Sequence, residues 1–446
     1  MTRVTQRRGS GGLPLNPELH HKWFNSLLSK PVASASDYVP PIQELQNLVA
    51  HTPSLKVSTQ AMFIEGYMSQ RTDPLGVPAV TSWQQFLSLL NNIMTTAPEF
   101  VIDQQGAAHS LVGFPINALL NWSMGTKSGY ATFSSPIFNR QFQKVLNYWA
   151  EFLTTVDSRY VLAYGDPNSD PPTIPWLSDL AKGQMITVAC QPRKQTPNCL
   201  DKSFEEIFSV PDPKDPKYLG FMSWDQFFTR EFQPGIRPVG NAEIVNACES
   251  APLQYVRNVQ LSDQFWLKGQ PYSLENMLDF DPLTAQFAGG SVYQAFLSVL
   301  SYHRWHSPVD GTITKTLVVN GSYYLENMSQ GLQSHEPDSA APNASQPFLT
   351  SVATRAVIFI EADDPKIGLM VFVAVGMAEV SSCEITVTPG DQVKRGEQLG
   401  MFHFGGSTYC LVFRPHVALN FQISVNDQPN LNGTNVAVKS NLATLV

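Results

Sequence analysis

The apolar residues of this chain change their period partway along it, and that change constrains the fold more than any other feature. Between about residues 41 and 165 they recur every three or four positions. Ser82 and Gln85 form a capping box ahead of a stripe made by Trp83, Phe86, Leu87, Leu90 and Met94. Ser135 caps a second helix with Pro136 at its first position, and Phe138, Phe142, Val145, Trp149, Phe152 and Leu153 mark its buried face. Such stripes are read as core packing. After about residue 215 the runs become short and β-rich. Val357–Glu361 and Leu369–Val373 flank Asp363-Asp364-Pro365-Lys366, a hairpin signal, and Val380–Phe404 continues in the same style.

The chain has 446 residues, and at roughly 150 per domain that predicts two or three domains. The expected division is a flexible lead over 1–40, a helical domain with its connector over 41–215, and a catalytic domain over 216–446. The connector, 165–215, is rich in Pro, Asp and Lys around one short helix near Trp176–Leu180, and the polar stretch 329–346 reads as a mobile surface loop. The fold class is α+β, a helical N-terminal domain followed by an antiparallel β-rich sandwich or barrel.

Charged residues are 15% of the chain and the net charge is −8, against about 25% charged in an average soluble protein. That balance excludes a broad nucleic-acid footprint, which needs clustered Lys and Arg. Five cysteines are scattered without a CxxC pair, so neither a zinc ribbon nor a disulfide framework is expected. The N-terminus lacks an apolar signal core, and no run approaches the ~18 apolar residues of a membrane span. The expectation is a reduced, cytoplasmic protein with no integral membrane contact.

Three segments carry chemistry. Turn glycines across Pro389–Gly400 are spaced as in biotinyl or lipoyl carrier sandwiches, which supports a β-sandwich, but the modifiable Lys of a carrier is missing. Phe404-Gly405-Gly406-Ser407-Thr408 puts glycine before serine, so the backbone can bend until the hydroxyl reaches the preceding carbonyl. Tyr302-His303-Arg304-Trp305-His306 supplies two candidate bases. On a helix His303 and His306 share a face, whereas on a strand they face opposite ways. Without a carboxylate at helical spacing the pair does not read as a metal site. His21-Lys22-Trp23 looks like a pyridoxal phosphate dipeptide, but it is expected to lie ahead of any folded domain that could build a cofactor site.

Taken together, four motifs resemble the phosphatidylserine decarboxylase family. They are Phe227-Phe228-Thr229-Arg230 with Pro234-Gly235 and Arg237-Pro238, then Lys268-Gly269 with Tyr272-Ser273-Leu274, then the YHRWHSP segment, and last Gly406-Ser407-Thr408. With the helical domain in front, the order of elements is similar to the fungal pyruvoyl-type aromatic amino acid decarboxylase branch. The resemblance covers about residue 40 to the C-terminus.

The resemblance implies self-cleavage between Gly406 and Ser407, a pyruvoyl group made from Ser407, and a small C-terminal chain that stays as a partner. It implies His306 as the base and His303 beside the substrate carboxylate. Glu249, in Ala247-Cys248-Glu249-Ser250, takes the place of the carboxylate that orients the base, with Asp310 as the competitor. No metal and no pyridoxal phosphate are expected. Trp305 is the candidate for stacking on an aromatic amino acid substrate, first L-tryptophan, with phenylalanine and tyrosine next. The alternatives are a lipid-directed phosphatidylserine decarboxylase and a non-enzymatic β-sandwich binding module. Oligomeric state stays open.

Overall fold

A computed structural model describes residues 17–30, 35–70, 78–102, 114–192, 198–263, 272–330, 341–379 and 383–446. The chain divides into two compact units. One holds residues 1–181 and 322–346, the other 182–321 and 347–446. The stretch 165–215, expected as a connector belonging with the helical domain, is divided between the two units after residue 181.

The first unit is helical. It contains α1 (Pro17–Ser29), α2 (Pro40–His51), α3 (Pro53–Gln70), α4 (Trp83–Ile93), α5 (Pro115–Met124), α6 (Lys127–Phe133) and α7 (Pro136–Thr154). The caps follow from the sequence: Ser82 Oγ accepts the Gln85 N–H at 3.2 Å and Ser135 Oγ that of Phe138 at 3.5 Å. The return arm of the first box goes one residue further back than expected, because Gln85 Oε1 takes the Thr81 N–H at 2.7 Å. The stripes meet in an aromatic core where Phe86, Phe138 and Phe142 stack.

Three expectations change here. The lead is not unstructured over its whole length, since α1 buries Leu19, Phe24 and Leu27 on one stripe. Of the expected mobile loop, residues 331–340 lie outside the described residues. Ala341–Ala344 is a short helix, and Ala341, Ser345 and Gln346 are buried. Ser345 is held there because its Oγ accepts the Asn327 N–H at 3.0 Å. The helix expected near Trp176–Leu180 instead runs over Asp179–Ala189, and Trp176 is a buried anchor ahead of it.

The second unit is built on antiparallel sheets. Fifteen strands are described in the chain. β1 (Phe100–Val101) and β2 (Thr173–Ile174) pair in the helical unit. The others are β3 (Ile244–Val245), β4 (Ala251–Arg257), β5 (Ser291–Leu297), β6 (Arg304–His306), β7 (Gly311–Val319), β8 (Arg355–Ala362), β9 (Leu369–Met377), β10 (Cys383–Ile385), β11 (Gln392–Val393), β12 (Gln398–Phe402), β13 (Gly406–Phe413), β14 (Leu419–Phe421) and β15 (Asn441–Leu445). The large sheet has the order β11-β7-β8-β9-β13-β5-β4, and two three-stranded sheets have the orders β10-β12-β6 and β14-β15-β3. The large sheet is open, with β11 and β4 at its edges. The fold is a sandwich and not a closed barrel.

The middle strands β9 and β13 are buried at every position. Cover on both faces explains why their sequences read as continuous apolar runs without alternation. One face of the large sheet carries Phe372, Ala374, Tyr409 and Leu411, which share a core with Trp305, Leu399 and Phe402 of the smaller sheet. One further expectation is overturned in this unit: Cys190 and Cys199 form a disulfide, with Cα atoms 5.5 Å apart. The scattered spacing of the cysteines hid a pair only nine residues apart that closes a short loop.

Candidate active site

The Gly-Gly-Ser element sits where β12 turns into β13. Phe402 is the last residue of β12, and Gly405 then takes φ 142°, a left-handed value that favours glycine. Gly406 opens β13 opposite Met377, and Ser407 is paired with Gly376 of β9 on one side and Leu297 of β5 on the other. Alternation along β13 puts Ser407 on the same face as Tyr409 and Leu411, the interior of the sandwich. Its hydroxyl is fully buried and has no hydrogen-bond partner among the described residues. A buried hydroxyl left unpaired costs stability, so this residue type at this place calls for a chemical reason.

Arg304–His306 of the His-x-x-His segment form β6 with His303 directly ahead of it, and on this extended chain the two imidazoles face opposite ways. Trp305 points inward, with ring centroids 5.6 Å from Phe372 and 5.0 Å from Phe402. Trp305, expected as a substrate-stacking residue, is completely buried. It is core, and Gly400 opposite it is the space its ring occupies.

His303 lies on the side of Trp305. The main chain ties it to β12, since Phe402 N–H donates to His303 O at 3.0 Å. Its ring stacks on Phe228 at 4.1 Å, and Phe228 in turn meets Phe404 at 5.3 Å. Neither ring nitrogen has a well-formed hydrogen bond among the described residues, although the Ser301 backbone favours the protonated form slightly. Burial, reinforced by the Arg230 charge, pushes its pKa down to about 3.

His306 is buried on the opposite face with both nitrogens engaged. The Gly396 carbonyl lies 2.8 Å from Nδ1 and the Tyr302 hydroxyl 3.0 Å from Nε2. A carbonyl only accepts, so Nδ1 carries the proton and the Nε2 lone pair takes the Tyr302 O–H. Burial, with a smaller contribution from Lys439, brings the pKa to about 3. Both imidazoles are thus neutral at ordinary pH and able to accept a proton.

The carboxylate expected to orient His306 is occupied elsewhere. Glu249 Oε1 accepts from Arg237 Nη2 at 2.8 Å and Asn435 Nδ2 at 2.9 Å. Its Oε2 accepts from Arg237 Nε and the Val438 N–H, both at 2.9 Å. The competitor Asp310 takes the Arg395 N–H at 2.8 Å. Neither carboxylate hydrogen-bonds to His306. Glu249 reaches it only through the main chain, because His306 N–H donates to Ala247 O at 2.9 Å, two residues away.

Four residues around these groups had no role assigned from the sequence. Arg237, from the Pro-Gly-x-Arg-Pro motif, pairs bidentately with Glu249 and donates to Ala189 O at 2.7 Å. Arg230 is a buried guanidinium lying over Phe208 and Phe227 at 4.4 and 5.0 Å, and burial lowers its pKa to about 9. Tyr302 caps His306. His403, between β12 and β13, bonds Asp225 at 2.8 Å and Glu384 at 3.0 Å. Burial opposes its protonation, but these two carboxylates outweigh that and raise its pKa. Only the paired aromatic-plus-Arg composition of the 224–238 motif hinted at any of this.

Lys268 and Gly269 lie outside the described residues. Lys22, weighed as a pyridoxal phosphate lysine, belongs to α1 and pairs with Glu18 at 3.4 Å and Asp170 at 3.2 Å. Among the described residues no group of three or more His, Cys, Asp or Glu gathers as a metal site, and no helix is long and apolar enough to cross a membrane.

Comparison with known proteins adds an independent line. Family models described as phosphatidylserine decarboxylase match residues 224–437 and, separately, 39–185. The decarboxylase iboD of Amanita muscaria is 41% identical over 347 residues, which is 75% of this chain and 94% of that protein. The L-tryptophan decarboxylase of Psilocybe cubensis is 31% identical over 91% of this chain and 88% of its own length. The phosphatidylserine decarboxylase proenzyme 3 of Schizosaccharomyces pombe is 31% identical over 44% of this chain and 19% of its own length.

Proposed function

The chain belongs to the phosphatidylserine decarboxylase family of carboxy-lyases, near the fungal L-tryptophan decarboxylases and decarboxylase iboD, and from that premise we propose that it is a self-processing, pyruvoyl-dependent decarboxylase of an aromatic L-amino acid, first L-tryptophan. The observation that carries the reading is the buried, unpartnered Ser407 hydroxyl behind Gly405 and Gly406.

Ser407 Oγ attacks the Gly406 carbonyl carbon, and the acyl group passes from nitrogen to oxygen. Loss of the α-proton of residue 407 then expels the Gly406 carboxylate and leaves a carbon–carbon double bond. Water releases ammonia and leaves an α-keto acyl group at the head of the fragment 407–446. The residues fit such a group, because the hydroxyl consumed in forming it, whose oxygen leaves with the Gly406 carboxylate, has no structural bond to lose. When formed, it supplies an electron sink for the bond to the departing carboxyl group.

His306 takes the hydroxyl proton at Nε2, its unprotonated nitrogen, with Nδ1 fixed by the Gly396 carbonyl. Glu249 contributes by anchoring the strand whose Ala247 carbonyl holds the His306 backbone. His303 moves a proton at the product carbon, and burial, reinforced by the Arg230 charge, keeps that imidazole neutral. A second reading exchanges the two histidines. It is favoured by alternation, on which His303 shares the side of Trp305 and Ser407 that of Tyr409, and by the His303 ring nitrogens, which lack a well-formed hydrogen bond among the described residues.

Supporting the substrate are the L-tryptophan decarboxylases, whose similarity runs through the helical unit, whereas the lipid-directed relative aligns with less than half of this chain. The test is intact-mass analysis with CO2 release from L-tryptophan, L-phenylalanine, L-tyrosine and phosphatidylserine vesicles. The wild type should appear as two chains, the smaller being the 40 residues 407–446. Ser407→Ala should stay whole and release no CO2. An uncleaved, inactive wild type refutes the enzyme. CO2 from the vesicles alone refutes the amino acid. Blocked cleavage in His303→Gln but not in His306→Gln selects the second reading.

A further inference from the structure

The helical unit contains a cavity of about 290 Å³ that the chemistry above does not use. Ligand cavities begin near 300 Å³, so this one suits a small molecule. α1 contributes Trp23, Leu27 and Lys30, spaced four and three residues apart and therefore on one helical face. Ile93 and Val101 add apolar wall, and Glu99 enters from the residue before β1.

The charges are the informative part. Lys30 and Glu99 line the same cavity, yet they do not close into an ion pair, and neither side chain has a hydrogen-bond partner among the described residues. Their influence on each other is at a distance only: burial pushes the Glu99 carboxyl up and the Lys30 charge pulls it back. Nearby charges are already committed. Lys22 pairs with Glu18 and Asp170, and Asp166 Oδ1 accepts the Asn168 N–H at 2.9 Å. A carboxylate that is largely buried and unmatched is costly, and an opposite charge held short of contact leaves a gap with a plus on one side and a minus on the other.

We infer that this cavity is a second binding site, for a free α-amino acid with an aromatic or large apolar side chain. Glu99 takes the α-ammonium, Lys30 takes the α-carboxylate, and Trp23 with Leu27 and Ile93 receives the side chain. Both charges of the ligand are used, so the matching amine, which lacks the carboxylate, binds more weakly. The ligand class coincides with the proposed substrate, but the site stands whether or not the chain decarboxylates it.

The test uses the full-length Ser407→Ala chain, which forms no reactive carbonyl, with L-tryptophan as the probe in calorimetry. Saturable binding is expected, weakened about tenfold or more by Glu99→Gln and again by Lys30→Met, which corresponds to at least ~1.4 kcal/mol each. Tryptamine should bind more weakly than L-tryptophan. In the otherwise wild-type chain, Glu99→Gln should leave self-cleavage intact, showing that the fold survives. No binding at millimolar L-tryptophan, or binding untouched by both substitutions, overturns the inference. A failed decarboxylase proposal registers separately, as absent CO2 from the wild type.

Discussion

Replacing Arg237 by methionine isolates the buried pair that anchors Glu249. The two side chains are 3% and 1% exposed and are joined by two charge-assisted hydrogen bonds at 2.8 and 2.9 Å. Without the guanidinium, Glu249 keeps only Asn435 Nδ2 and the Val438 N–H, and Ala189 O loses its donor. An uncompensated charge in such a place costs about 3–5 kcal/mol, and the methionine recovers part of the packing against Phe232, which Arg237 covers at 4.1 Å. A loss of ~3 kcal/mol is expected. The assay is denaturant unfolding followed by tryptophan fluorescence, on the Ser407→Ala background so that every chain is uncleaved. Arg237→Met with Glu249→Leu together should cost less than the sum of the two, because the double change leaves no orphaned charge. A single-variant loss under 1 kcal/mol, or simple additivity, would refute the claim that this pair is what fixes Glu249.

The two depressed histidines predict an acid liability. Unfolded, each binds a proton below about 6.5, whereas folded it does so only near 3, so the stability they contribute is present above pH 6.5 and drains as pH falls toward 3. At pH 5 the loss is on the order of 2 kcal/mol per histidine; unfolding midpoints at pH 7 and 5 should converge in His303→Gln/His306→Gln, and an unchanged pH slope contradicts the assignment. Gly400→Ala should lower stability by about 1–3 kcal/mol, since its Cβ would come within 2.1 Å of Glu384 O and 2.6 Å of the Trp305 ring; an unfolding midpoint equal to the parent's counts against this. Tyr302→Phe frees His306 Nε2, so self-cleavage followed by mass should quicken if His306 is the base. An unaltered rate moves that role to His303.

Local features were the legible ones. Ser82 and Ser135 cap helices as their spacing implied, and the hairpin around Asp363-Asp364-Pro365 joins β8 to β9, because a cap or a turn is set by residues within four or five positions. The open edges that make the large sheet a sandwich were not legible, since closure depends on strand order. Arg237 and Glu249 lie in separate motifs, and nothing local ties one to the other. Trp305 between two polar histidines suggested a binding residue; on the strand it shares the interior side with His303 and packs against Phe372 and Phe402. The Cys190–Cys199 bridge was missed because five scattered cysteines carry no pairing signal.

Strand β13 has a consequence beyond catalysis. It begins at Gly406 and runs between β9 and β5, bonded to both along its length. A cut between 406 and 407 would therefore release the first bond of a central strand, not a tail. The 407–446 piece would remain in place because leaving exposes two inner sheet edges and a row of fully buried side chains. Once denatured, however, the two pieces could reunite only by colliding, at a rate that falls with dilution, whereas the uncut chain closes the same sheet on itself at any concentration. The molecule would thus fold once as a single thread and then discard its own means of doing so again, holding its shape afterwards by slow unfolding rather than by ready return.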